Sequence, residues 1–161
     1  VPEFLAWVEG SALGAAVRGA GVWAYGVINL VHILGLSTLF GSVLVLDLRL
    51  VGLWRRVPLA LIARPTAPLA AAGFCVASLS GLCLLSTNAT EYVGNPFLLI
   101  KFAAIAFGLL NIVVLSRFDA WQHREIREPT ARESSQLAAA GGVSLASWLI
   151  AVSAGRLIGY W

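Results

Sequence analysis

The chain has 161 residues, of which 59% are hydrophobic and only 12% charged, with a formal net charge of +3. That balance lies far from the soluble globular average and points to one small membrane domain. The slight positive charge is no nucleic-acid signature, because the basic residues sit where membrane topology needs them.

Residues 2–18 read as a short helix with apolar Phe4, Leu5, Trp7, Val8 and Leu13 set against polar Glu3, Glu9 and Arg18. Such a segment is expected to lie on the outer membrane interface. No cleavable leader is expected, and residues before Val1 stay an open alternative. Gly19 and Gly21 then allow the chain to turn into the membrane.

Four apolar stretches follow, at about 22–46, 68–87, 97–116 and 137–158. At ~1.5 Å per residue, each can cross a ~30 Å hydrocarbon layer as a helix. The expected fold is therefore all-α, a four-transmembrane-helix bundle preceded by the interfacial helix. Segment 47–67 holds Arg49, Arg55, Arg56 and Arg64. Segment 117–136 holds Arg117, Arg124, Arg127 and Arg132, whereas segment 88–96 has neither Lys nor Arg. Positive loops stay inside, so 47–67 and 117–136 are read as cytoplasmic, 88–96 as outer, and both termini as outward-facing. Trp23 and Trp161 mark the outer boundary, Trp54 and Trp121 the inner one. The Ala, Leu and Arg bias leans towards a bacterial inner membrane, with the termini periplasmic.

Pro58 and Pro65 are expected to break the first inner segment. In the second, Glu125, Glu128 and Arg132 have helical spacing, so the third helix is expected to continue past the bilayer until Pro129. Asp47 is expected to pair with an arginine of the other inner loop. Small residues recur at helical spacing in Ser37 and Gly41, in Gly73, Ala77 and Gly81, in Ala104 and Gly108, and in Gly142 and Ala146. In lipid these are helix-packing faces, internal or against another subunit. Cys75 and Cys83 lie about 12 Å apart along one helix, too far for a disulfide, and are read as packing residues.

Polar groups within spans are the candidates for function. His32 sits roughly 15 Å below the outer boundary, with Asn29 one turn earlier on the same face. A neutral imidazole there could ligate haem iron, chlorophyll magnesium or copper. The bland alternative is a buried histidine hydrogen-bonded across the bundle. His123 lies past the inner end of the third span, so an internal bis-His haem is excluded. Lys101 and Arg156, near the outer ends of their helices, either snorkel or line an outer polar pocket with Asn88 and Glu91. No nucleophile has a base beside it, and no glycine loop for phosphates is present. The expectation leans away from an enzyme.

The run Val31-His32-Ile33-Leu34-Gly35 is followed by Gly41-Ser42 and Leu46-Asp47-Leu48-Arg49. Further along stand Gly73-Phe74, Ser80-Gly81 and Asn95-Pro96-Phe97 with Lys101. Together these resemble an uncharacterised family of small bacterial four-helix integral membrane proteins, a domain of unknown function, from about residue 20 onwards. The resemblance implies topology and no activity. More loosely, the chain is similar to copper-resistance membrane proteins and b-type cytochrome bundles, although it lacks the paired histidines that carry haem in the latter. Two functions are expected first, ahead of a small carrier whose outer pocket uses Lys101 and Arg156. One is a non-catalytic accessory or scaffold subunit of a respiratory or photosynthetic complex, with the lipid bilayer and other membrane subunits as partners. The other is electron transfer or copper handling through haem, chlorophyll or copper at His32.

Overall fold

The structure is a computed structural model, and residues 2–161 are described. Among the described residues seven α-helices follow one another: α1 (Pro2–Glu9), α2 (Ala12–Gly19), α3 (Gly21–Val51), α4 (Leu59–Thr87), α5 (Pro96–Ser116), α6 (Asp119–Gln122) and α7 (Ala131–Leu157). Short 3-10 turns cover Ala89–Tyr92 and Ile158–Tyr160. No strand occurs among the described residues. Helices α3, α4, α5 and α7 are long and apolar enough to cross a membrane.

Local chemistry explains most boundaries. The segment read as one helix over 2–18 is two. Gly10 interrupts it, and the Ser11 hydroxyl then accepts from Gly14 N at 3.2 Å to cap α2. Gly21, at φ +83, opens α3. Helix α3 ends where Gly52 takes φ +120. Leu53 N donates to Leu48 O (2.9 Å) and Gly52 N to Arg49 O (3.2 Å), a Schellman ending.

Helix α4 starts at Leu59, straight after Pro58, and not at Pro68. Pro65 and Pro68 both lie inside it. Prolines are tolerated in apolar helices where other groups satisfy the freed backbone. Pro65 frees Leu61 O and Pro68 frees Arg64 O, whereas the Thr66 hydroxyl donates to its own i−4 carbonyl, Ile62 O, at 2.7 Å.

The third long helix stops at Ser116, short of the extension expected to Pro129, and α6 is a separate turn. Helix α7 begins at Ala131, earlier than the apolar run suggested. Thr130 and Glu133 form a capping box, with Thr130 N donating to Glu133 Oε2 at 2.7 Å.

The chain forms two compact units. The first joins the residues up to Leu39 with Ala71–Pro96. Here α3 and α4 meet backbone to backbone. A Cβ on Gly35 would stand 2.7 Å from Ala77 N, and one on Gly73 would stand 2.9 Å from Gly35 O. The Gly73, Ala77 and Gly81 stripe is therefore an internal face. Helices α1 and α2 dock on the end of α4. Arg18 donates to Ser86 O (3.1 Å) and Thr87 O (3.2 Å), and Glu9 accepts from Thr90 N and Oγ1 at 2.7 Å.

The second unit holds Phe40–Ala70 and Phe97–Trp161. Its core, at the arginine-bearing end, is built from Leu46, Leu50, Leu59, Ala63, Leu115 and Leu137. Further along, Gly108 makes room for the Trp148 ring, and Asn111 Nδ2 donates to Ala140 O at 2.9 Å. Outward faces are apolar, as with Leu79 (67% exposed) and Phe107 (64%). Water would oppose such a surface, whereas lipid would not.

Candidate functional site around His32

His32 lies in the first unit, on the α3 face that meets α4, and is half-buried. Its Nδ1 stands 2.9 Å from Ala77 O and 3.1 Å from Ser80 Oγ. A carbonyl oxygen can only accept, so Nδ1 carries the proton. Ser80 Oγ donates to Val76 O (2.5 Å), which leaves its lone pairs to receive the same N–H. With the proton on Nδ1, a neutral ring carries its lone pair on Nε2. Gly81 lies against the ring, and a Cβ there would stand 2.9 Å from His32 Cε1. Two features of the small-residue stripe thus set the histidine. Ala77 supplies the carbonyl and Gly81 the space.

Other candidates fall elsewhere. Asn29, expected on the same face as His32, is exposed and has no hydrogen bond among the described residues. It lies on the outward side of α3 together with exposed Gly26, Ile33 and Ser37. A Cβ on Gly26 would meet nothing within 4 Å. Asn88 and Glu91 belong to the first unit and are exposed. Lys101 and Arg156 belong to the second. The Lys101 stem and Nζ lie along Gly155 of α7, about 3.5 Å from where a Cβ would stand. The Arg156 guanidinium lies over the Tyr160 ring at 4.8 Å and bonds its hydroxyl.

Asp47 departs from expectation. It is 3% exposed and forms no ion pair among the described residues. Its Oδ2 lacks a hydrogen-bond partner, and Ser144 is the polar group facing the carboxylate. The acid–arginine pairs use other residues, Arg49 with Glu128 at 3.6 Å and Arg64 with Glu125 at 3.4 Å. The periodicity carried a signal for this. Asp47 falls on the stripe of Val43, Leu46 and Leu50, all buried, so its side chain turns inward rather than to the loop.

Residues 4–161 match the model of the family of unknown function DUF6644. The chain belongs to that family. This agrees with the resemblance read from the residues around His32 and Asn95, and it carries no activity. No curated protein and no solved structure matches the chain.

Among the described residues, no group of three or more His, Cys, Asp and Glu side chains comes together.

Proposed function

We propose that this chain is a non-catalytic accessory subunit of a larger complex in the bacterial inner membrane, of respiratory or photosynthetic type, with both termini periplasmic. Asn29 carries the reading. Its carboxamide, about 12 Å along α3, points out of an apolar helix with no hydrogen bond among the described residues. Polar side chains at membrane depth bond across helices, and small neighbours such as Gly26 and Ser37 let a second helix come close. An exposed Asn between small residues fits a partner helix better than it fits lipid. In the same picture α1 lies at the outer interface, its stacked Phe4 and Trp7 (centroids 6.1 Å apart) turned to the headgroups.

The test is native electrophoresis of the gently extracted protein, with Asn29→Leu beside the wild type. One interhelical hydrogen bond is worth about 1 kcal/mol, so Asn29→Leu should weaken association about five-fold. Its melting temperature should stay unchanged. A wild-type chain that runs alone, or a variant that keeps its partners at equal strength, overturns the reading.

His32 supports a second reading, axial ligation of haem or chlorophyll, or binding of copper. The fixed Nδ1–H donor to a backbone carbonyl is the arrangement that orients ligating histidines and raises their basicity. His32→Ala should then abolish the visible band or the stoichiometric copper while circular dichroism is preserved. Unchanged pigment and metal content would end this reading.

A further inference from the structure

At the arginine-bearing end of the second unit lie cavities, two of which are lined by arginines. The larger, about 420 Å³, is lined by Arg64, Arg124 and Arg127 together with Glu125 and Glu128. Its ion-pairing capacity is largely used, although Arg124 Nε is buried without a hydrogen-bond partner among the described residues. Arg64 pairs with Glu125, Arg127 with Asp119 and Glu133, and Arg124 lies on the Trp121 ring. The smaller, about 260 Å³, differs. It is lined by Arg49, Gly52, Arg55, Glu128 and Ser134, with Leu50 and Leu137 at its floor.

Arg49 is 8% exposed, and its Nε donates to Val57 O at 2.9 Å, which holds the guanidinium in place. Its contact with Glu128 is long, at 3.6 Å, and Glu128 is half exposed. Arg55 has neither a hydrogen bond nor an ion pair among the described residues. The backbone is shaped to bring it here. Gly52 takes φ +120 and Trp54 φ +51, a left-handed pair of positions that folds the chain back over the end of α3. The Arg55 guanidinium lies over Gly52, 2.6 Å from where a Cβ would stand, and φ +120 is what calls for glycine at this position. Nor does Arg55 cap α3: Gly52 N and Leu53 N bond Leu48 O and Arg49 O, and among the described residues Arg55 makes no hydrogen bond to the helix end.

We propose that this pocket binds a phosphoryl oxyanion. Arg49 and Arg55 would fork its oxygens, and the Ser134 hydroxyl would supply a further donor. Two arginines against one Glu128 leave a single positive charge, which matches the single negative charge of a phosphodiester. The volume falls below that of drug-sized pockets and suits a headgroup. Arginines beside the inner interface, flanked by half-exposed Trp54, are where anionic lipid headgroups gather. Free phosphate offers the same oxygens, so the two sources need separate arms.

The experiment is native mass spectrometry of the full chain in detergent, titrated with phosphatidylglycerol, with phosphatidylcholine, and with phosphatidylglycerol plus excess inorganic phosphate. Phosphatidylglycerol should be retained over phosphatidylcholine. Arg55→Gln should weaken that retention about five-fold, and Glu128→Gln should strengthen it. Displacement by inorganic phosphate would support the anion site and assign it to a soluble ligand. Undiminished retention in its presence would assign it to lipid. Equal retention of both lipids, or of phosphatidylglycerol by the wild type and both variants, overturns the proposal.

Discussion

At position 35 the difference between a hydrogen and a methyl group decides how close two helices come. The Gly35 Cα faces Ala77 N, a backbone atom that cannot rotate aside. Gly35→Ala should therefore force α3 and α4 apart, at roughly 1–3 kcal/mol of overpacking, and lower the melting temperature in detergent. Gly41→Ala is the control, since open space surrounds that position. It should be neutral or slightly stabilising, because Ala favours helix. Equal melting of the two variants would refute the close contact. The same scale shows what residue spacing conveys. The stripe through Gly73, Ala77 and Gly81 was legible as a packing face, and so was Gly108 beneath Trp148. In the run Ala138–Gly142 small residues occur all round the helix. There the expected Gly142 and Ala146 face is exposed, while Gly141 and Ser144 turn inward. Composition cannot choose a direction when every direction is small.

Among elements, the docked pair α1 and α2 is the most open to solution conditions. Glu9 accepts hydrogen bonds from the Thr90 amide and hydroxyl, and Arg18 lies close. These hold its carboxyl below the ordinary carboxylate range. A carboxyl depressed in the folded state contributes docking strength above its unfolded pKa and loses it as pH falls through the folded value. The helix pair should stay docked at neutral pH and loosen below about pH 4. Amide exchange at Thr90 should then accelerate, and Glu9→Gln should remove that dependence. Exchange in the wild type that stays flat through acid would refute the latch. Sequence reading saw the amphipathic character of this segment but not its division. One Gly-Ser pair, Gly10 and Ser11, is a weak signal until Ser11 is seen capping α2. The prolines of α4 erred in the other direction. Pro65 read as a break, yet the helix runs on through it and through Pro68, because tertiary context overrides local propensity.

For the whole molecule, the distribution of arginines makes a prediction about orientation. With Cys75 and Cys83 replaced by Ser, Gly159→Cys should react with a membrane-impermeant maleimide added to intact spheroplasts. Arg56→Cys should react only after permeabilisation. The reverse pattern would invert the topology, and reaction of both from outside would refute the spans. Four apolar runs, their lengths and the asymmetry of their loops are sums along the chain, and hydrophobicity and charge add up without regard to which way a helix is turned. The sequence by itself therefore determined the all-helical class, the four candidate spans and the family resemblance. Which faces meet depends on helix rotation, where one residue is a step of about 100°. Only the tertiary structure decided that His32 faces Ala77 and Ser80 while Asn29 faces outward. It likewise decided that Asp47 is buried against Ser144, and that the turn at Gly52 brings Arg55 back beside Arg49.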